Sequence, residues 1–355
     1  MRQISLLILI FSAQITFGQV HATKYSNEFL AIGVGGRALA MGNSQVAIAN
    51  DVTAGYWNPA GILRQTNKYD LALQHGAYFS GIATYDYAAF SMKLDSLSGL
   101  GFSIIRFGID DIPDTRFLYD ANGAINYDNV RFFTAADYAF LTSYARKLKV
   151  LGGLQLGGNV KIVHRKAGDF ANAWGFGFDI GAQLMLNKWQ FGAVLKDVTG
   201  TFTAWRHNTD EIIDVFSQTG NDIPQNSVEV TVPRLTLGVA RYWKIKQFGF
   251  LPTIDLTFTF DGKRNTLVKS GFTSIDATAG LAVDYKRMAF LRFGIRNIQQ
   301  LKHFDSSTYL AIEPTFGIGF HYKTVAIDYA LSSVGPHTES LYSHIFSVKL
   351  NFDSK

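Results

Sequence analysis

Cysteine is absent from the 355 residues. That one absence removes disulfides, thiol catalysis, Cys-based zinc sites and the lipid-bearing cysteine of a lipoprotein. Charge is scarce: Asp, Glu, Lys and Arg make up 17%, against a usual share of roughly 25%. Long apolar runs are missing too. Beyond the first 20 residues none approaches the roughly 18 that a spanning helix needs. Mean hydropathy is close to neutral at +0.07. A helical membrane protein is therefore excluded. A membrane barrel is not, because its strands alternate apolar and polar residues and average out. Proline is sparse at 7, and with 33 Gly the composition fits strands and tight turns better than disorder. The net charge of +5 is scattered with no Lys/Arg-rich run, so nucleic acid is not an expected partner.

What is plentiful is aromatic: 29 Phe and 16 Tyr, as expected of strands with rings at both membrane interfaces. Residues 1–18 read as a secretory signal. Arg2 supplies the positive start, Ile4 to Ile15 the apolar stretch, and Thr16-Phe17-Gly18 a small-residue cleavage site before Gln19.

The second half alternates strictly. In residues 253–261, Ile254, Leu256, Phe258 and Phe260 share one face and Thr253, Asp255, Thr257, Thr259 and Asp261 the other. Residues 274–285 and 309–322 repeat the pattern. A period of two places successive side chains on opposite faces of a strand. These faces run for about 9–14 residues, where soluble strands average about 5–6 and tilted membrane strands need about 9–11. The same pattern predicts strands over 69–79, 83–94, 99–108, 133–147, 151–165, 173–187, 188–197, 231–243, 250–261, 273–286, 287–297, 309–322, 323–333 and 342–352. The fold class is thus all-β, an antiparallel transmembrane barrel of about fourteen strands, an even number as bacterial barrels show.

Connection lengths sort by parity. Short turns are expected at 95–98, 147–150, 187–188, 243–249, 286–287 and 322–323. Long loops are expected at 109–132, 166–172, 198–230, 262–272, 298–308 and 333–341, with 80–82 the exception. Short turns belong to the periplasmic side of such barrels. The final strand ends on an outward aromatic, Phe352. Inward positions carry Asp255, Asp276, Asp284, Arg292, Arg296, Glu313, Asp328 and Lys349. Buried charges must pair or meet water. Inter-strand ion pairing is the favoured reading, and a polar channel or a network anchoring a plug the alternative.

Residues 19–66 lack this alternation and are rich in Gly and Ala, which lets backbone pack closely in a confined space. They are expected to form a plug within the barrel of residues 67–355. Asn58-Pro59 reads as a helix start, with Pro at the first position. Gly33-Val34-Gly35-Gly36-Arg37-Ala38 matches a dinucleotide-binding pattern but lacks the strand and βαβ context that motif needs. No nucleophile elbow, Walker loop or His-Glu-x-x-His motif is present, and the eight His are dispersed. No catalytic activity, cofactor or metal site is expected.

The run Gly36-Arg37-Ala38-Leu39, Met41-Gly42, Asp51, Ala54 and Trp57-Asn58-Pro59-Ala60-Gly61 resembles the PorV/PorQ family within the FadL-type outer-membrane barrels. The opening Lys24-Tyr25-Ser26-Asn27-Glu28-Phe29-Leu30 is similar to the PorV-like branch, and 316–320, 327–330 and 344–348 resemble the family's last strands. The resemblance departs at Asn43-Ser44-Gln45, where the family often has Gly-Gly-Ala. It implies an integral outer-membrane barrel of fourteen strands with its N-terminal residues in the lumen. For the PorV-like branch it implies a part in type IX secretion, binding cargo sorting domains and a large translocon barrel. The outer loops would supply the partner surface. Phe117, Tyr119 and Tyr127 stand in one, and a short acidic-started helix in another would present Ile212, Ile213 and Phe216. The alternative is transport of a hydrophobic small molecule, with an apolar pocket beneath the loops and a kinked strand opening the wall. A structural barrel that holds a partner in place is a third reading.

Overall fold

The computed structural model describes residues 25–150, 152–211, 213, 216–217, 220, 222–302, 307–333 and 342–353. The expected signal segment, 1–18, lies outside the described residues. The chain forms a closed antiparallel barrel of 14 strands. Its strands are β1 Tyr69–Tyr78, β2 Ala83–Lys93, β3 Ser98–Asp114, β4 Arg131–Lys147, β5 Gln155–Ala167 and β6 Ala171–Leu186. Next come β7, in two pieces (Trp189–Lys196 and Thr201–His207), and β8, in three (Ser227–Thr231, Arg234–Arg241 and Trp243–Ile245). The remainder are β9 Phe248–Thr259, β10 Ser274–Tyr285, β11 Ala289–Lys302, β12 Thr308–Tyr322, β13 Val325–Ser333 and β14 Tyr342–Phe352. Each pairs with its sequence neighbours, and β14 closes on β1 from Tyr69 opposite Phe352 to Ala77 opposite His344. Closure leaves no strand edge, so every backbone group at membrane depth finds a partner within the barrel.

The alternation resolves as expected. Leu291, Ile318, Phe320 and Phe346 are each more than half exposed on the outside, whereas Arg292, Thr315, Asp328 and Ser347 are buried inside. On the short-turn side, rings of Tyr69 and Phe352 stack at 5.5 Å, and those of Phe248 and Tyr285 lie at 5.3 Å. Towards the long-loop side His164 stacks on Trp174 at 4.2 Å. Two aromatic belts with apolar side chains between them are what a bilayer requires of a barrel exterior.

Several expected loops prove to be partly strand. The segment 109–132 shrinks to 115–130, because β3 bulges at Asp111 (φ 56°) and resumes pairing from Ile112 opposite Phe133. Segment 166–172 becomes a tight turn at 168–170, and β11 runs on to Lys302 past a bulge between Arg296 and Gln299. The largest correction concerns 198–230, which holds the second piece of β7 and the first of β8, paired from Thr201 opposite Thr231 to Trp205 opposite Ser227. The connection between them is 208–226. Of the helix expected there, a 3-10 turn at Thr209–Glu211 is present and Ile213 and Phe216 are helical; Ile212 lies outside the described residues. These extensions lengthen the wall on the long-loop side. The inner turns remain short, among them 187–188, 246–247 and 323–324.

Before β1, the chain enters the lumen as short turns: a 3-10 helix Glu28–Ala31, α1 Gly36–Leu39, α2 Ala54–Trp57 and a 3-10 helix Pro59–Arg64. Asn58 caps the last, its Oδ1 accepting from the Ala60 amide at 3.3 Å with Pro59 at the first position. The main buried cluster joins Val34, Leu39, Tyr56 and Ile62 of this segment to Tyr85, Ile105, Leu141 and Ile345 of the wall. Close approach requires glycine where the segment crosses β11. Gly42 (φ 63°) lies beside Gly294, and a Cβ built on Gly294 would collide with the Gly42 amide nitrogen. Gly294→Val should therefore weaken the seat of residues 25–66 by about 1–3 kcal/mol, as overpacking generally does. The measurement is protection of that segment from proteolysis across a urea series. Gly271→Val, at an outer-loop position with open space around it, should change nothing; equal effects from the two variants would refute the argument.

Candidate functional site in the plugged lumen

The segment's motif residues act as fasteners. Gly36 donates its amide to Ser347 Oγ at 2.9 Å, and Gly42 to Thr315 Oγ1 at 3.0 Å. The bare backbone at both positions comes close enough to reach a wall hydroxyl. Arg37 donates to Asn50 Oδ1 at 2.7 Å and stands 3.8 Å from Asp51. Asp51 accepts from the Thr53 amide at 3.0 Å through one oxygen and from Lys349 Nζ at 2.6 Å through the other. Trp57 donates its indole N–H to Val34 O at 2.9 Å, bracing one turn of the segment on another. Asn58 reaches both Val46 O and Ala182 O at 3.0 Å. Ala60 and Met41 are fully buried, and a Cβ on Gly61 would strike Ala49 O. Pro59 sets the capped turn. Of this set Trp57 lines the cavity described next, and Arg37 a second one on the short-turn side.

The inward charges divide in two. Arg296 pairs with Glu313, and Arg292 with Asp328 at 2.8 Å, which is inter-strand pairing as favoured from the sequence. Lys349 and Asp255 instead hold the plug. Lys349 bridges Asp51 to Asp328, 3.6 Å away on the other side. Asp255 accepts from the Gln45 and Val46 amides at 2.7 and 2.9 Å. Asp284 accepts from Tyr242 Oη at 3.2 Å, and Asp276 lines a cavity.

That cavity, about 230 Å³, lies between the plug and strands β7 to β11. Its plug side is formed by Leu30, Tyr56 and Trp57, its wall side by Lys196, Arg234, Thr236, Asp255 and Thr257. Lys196 Nζ sits 4.2 Å from the centre of the Tyr56 ring, a cation–π contact. A cavity is therefore present beneath the loops, but it is not the apolar one expected: Glu28 and Asn43 join the rings on its plug side, and charged residues line the wall. Above it, Arg264 of the 260–273 loop pairs with Asp261 and with Glu28 of the plug at 3.1 Å. Burial pushes the Asp261 carboxyl up, and the Arg264 guanidinium more than offsets it, leaving Asp261 below its ordinary value.

Beside the cavity the wall is interrupted twice at one level. Along β7 the even-numbered residues Gln190 to Lys196 point inward, then the Asp197–Gly200 bulge turns the odd-numbered Thr201 and Thr203 inward. The phase of β8 changes in the same place, at Val232-Pro233. Behind the bulge, Asp179 and Asp197 flank Lys161, with Lys161 Nζ 3.1 Å from Asp179, and all three are buried. None of this trio was singled out from the sequence. Lys161 and Asp179 do fall on the inward parity of β5 and β6, the one signal that marked them.

The loop aromatics do not converge. Phe117, Tyr119 and Tyr127 are exposed on the 115–130 connection, with Phe117 flanked by the guanidinium of Arg131 at 4.6 Å. Ile213 is exposed as well. Phe216 instead joins Phe133, Phe170 and Pro224 around a separate outer cavity of about 430 Å³.

No protein-family model matches the chain, and no curated protein matches it. Among solved structures it is similar to the Pseudomonas putida toluene transporter TodX (TM-score 0.57, 13% identity, 91% of this chain and 99% of that one). It is also similar to the monoaromatic hydrocarbon channel CymD (TM-score 0.55, 12%, 91% and 98%). A third is a Pseudomonas aeruginosa FadL homologue (TM-score 0.51, 12%, 89% and 97%). The likeness is one of fold. The chain has the fourteen-stranded barrel fold of these FadL-type outer-membrane proteins.

Removing one member of a buried pair leaves the other charge uncompensated, at about 3–5 kcal/mol. Lys349→Met leaves Asp51 with Arg37 alone, 3.8 Å away, and breaks the link to Asp328, which keeps Arg292, so it should cost toward the lower end of that range and expose the plug to protease while the barrel stays folded on a cold gel. Retained protection would show that Lys349 does not fasten it.

Proposed function

We propose that this FadL-type barrel admits a small, largely hydrophobic molecule bearing a polar group across the outer membrane, with residues 25–66 as its hatch. The observation that carries the reading is the cavity between Tyr56 and Trp57 of the plug and Lys196 and Arg234 of the wall, beside the paired interruptions of β7 and β8. Rings offer an apolar body a face, and the cations offer a polar end a partner. TodX is named for toluene transport and CymD for monoaromatic hydrocarbons, and the likeness of fold to them supports the hydrophobic part of this reading. The outer aromatic cavity at Phe133, Phe170 and Phe216 is placed to collect an apolar solute before entry.

A plug fastened on all sides must shift for anything to pass. Ser44 Oγ and Thr253 Oγ1 lie 3.1 Å apart across the plug–wall boundary, and the chain has no other cysteine to interfere. Oxidised Ser44→Cys/Thr253→Cys should therefore block uptake of a labelled monoaromatic acid or hydrocarbon and recover it on reduction. Uptake that continues with the disulfide formed would end the hatch reading.

A second reading rests on the exposed Phe117, Tyr119 and Tyr127 and on the resemblance of the plug motif to PorV-like proteins. In it the barrel takes part in type IX secretion without enzymatic chemistry, its outer loops holding a cargo sorting domain or the translocon barrel. Replacing residues 115–130 by a short Gly/Ser turn should then abolish capture of a purified sorting domain and spare solute uptake. The opposite outcome would favour transport alone.

A further inference from the structure

Below the plug, on the short-turn side, the lumen opens in a second cavity of about 560 Å³. Six basic residues line it: Arg37, Arg64 and Arg292 at the roof and wall, and Lys188, Lys244 and Arg287 in or beside three different inner turns. Asp284 is the one acid in the lining. Arg37 and Arg292 already face Asp51 and Asp328. Arg64 does not: its guanidinium donates to Ala47 O, Gln183 and Gln190, all neutral. Among the described residues no carboxylate pairs with Arg64, Lys188, Lys244 or Arg287. The Asp284 oxygens are taken up by Tyr242 Oη and the Arg287 amide. Arg292, 1% exposed, has its Nε buried at the roof without an acceptor.

Such an excess of like charge around one concavity raises the energy of the empty site and focuses a positive potential on the mouth. The charges come from three turns and the plug, so they do not converge on a point. A single small anion would leave most of them uncompensated. A chain carrying several carboxylates would satisfy them together, and the neighbouring Met185, Tyr242 and Phe290 offer it apolar contact.

We infer that the periplasmic mouth of this barrel is a docking cup for an acidic peptide segment of a periplasmic protein, which there touches the plug through Arg37 and Arg64. The cup does not depend on what the barrel passes. Its occupant would bear directly on the residues that hold the plug, so docking from the periplasm and plug position would be linked.

The test uses the full-length barrel in nanodiscs and fluorescein-labelled octaglutamate, read by anisotropy. Binding is expected at low salt, weakening as salt rises. Lys188→Glu/Lys244→Glu/Arg287→Glu should lower affinity at least about tenfold, since each reversal sets like charges together. Lys286→Glu/Lys323→Glu provides the control, because those cations lie over the Tyr285 and Tyr322 rings, each at 5.3 Å, and outside the cup lining. No binding, or equal loss from both sets, overturns the inference. Displacement by citrate as effective as by unlabelled peptide overturns it in favour of a small-anion site. Should the triple variant fail to assemble, a photo-crosslinking octaglutamate on the unmodified barrel decides. Attachment at Met185, Tyr242 or Phe290 supports the cup, and attachment elsewhere refutes it.

Discussion

The structure depends on satisfying a polar interior within an apolar medium. A barrel in a bilayer must turn its alternate residues inward, and here those residues include carboxylates, guanidinium groups and ammonium groups that water would otherwise have to solvate. The N-terminal segment supplies much of the answer. Its backbone amides meet Asp255, Ser347 and Thr315, and its Asp51 meets Lys349. The remaining charges meet each other, as in Arg292 with Asp328. The lumen is thus filled by one segment whose sequence is small where the wall comes close and polar where the wall is charged.

The same fastening explains why a hatch is a demanding device. Buried pairs are costly to break singly, yet they contribute little net stability when formed, because each charge surrendered its hydration. A plug held by such pairs is well defined in position without being deeply bound. Movement then becomes feasible if something replaces the lost partners as it proceeds. A solute with a polar end beside Lys196 and Arg234, or an acidic segment at Arg64, has the chemistry to do so from either side of the membrane.

Where the strands alternate without interruption, the fold was legible. Residues 274–285 and 309–322 lie in β10 and β12, and 253–261 in β9 up to Thr259, with the expected faces. Legibility failed where phase changed. Thr201 to His207 alternate perfectly well, but the Asp197–Gly200 bulge inverts which parity faces inward, so a pattern carried over from Trp189–Lys196 finds the wrong residues. Asp111 and Asn297, both with positive φ, hide the ends of β3 and β11 in the same way. The plug motif was visible as small residues at fixed spacing, but its partners were not. Nothing local to Asp51 marks Lys349, 298 positions away.

That distinction also separates the kinds of site this barrel carries. Beside the cavity at Tyr56 and Lys196, the bulge turns Asp197 inward next to the already inward Lys196, an arrangement no regular strand permits. The periplasmic cup needs no irregularity; Lys188, Lys244 and Arg287, in or beside ordinary turns, reach one rim because neighbouring hairpins end at one level. Strand closure alone assembles the cup, whereas the paired charges beside the upper cavity need a break in the pattern. A substitution that repaired the bulge, restoring strict alternation through 197–200, would bring β7 closer to an ideal strand and turn Lys196 or Asp197 out of the lumen. The local irregularity is therefore a cost in strand regularity that the wall carries to hold two charged groups beside the plug.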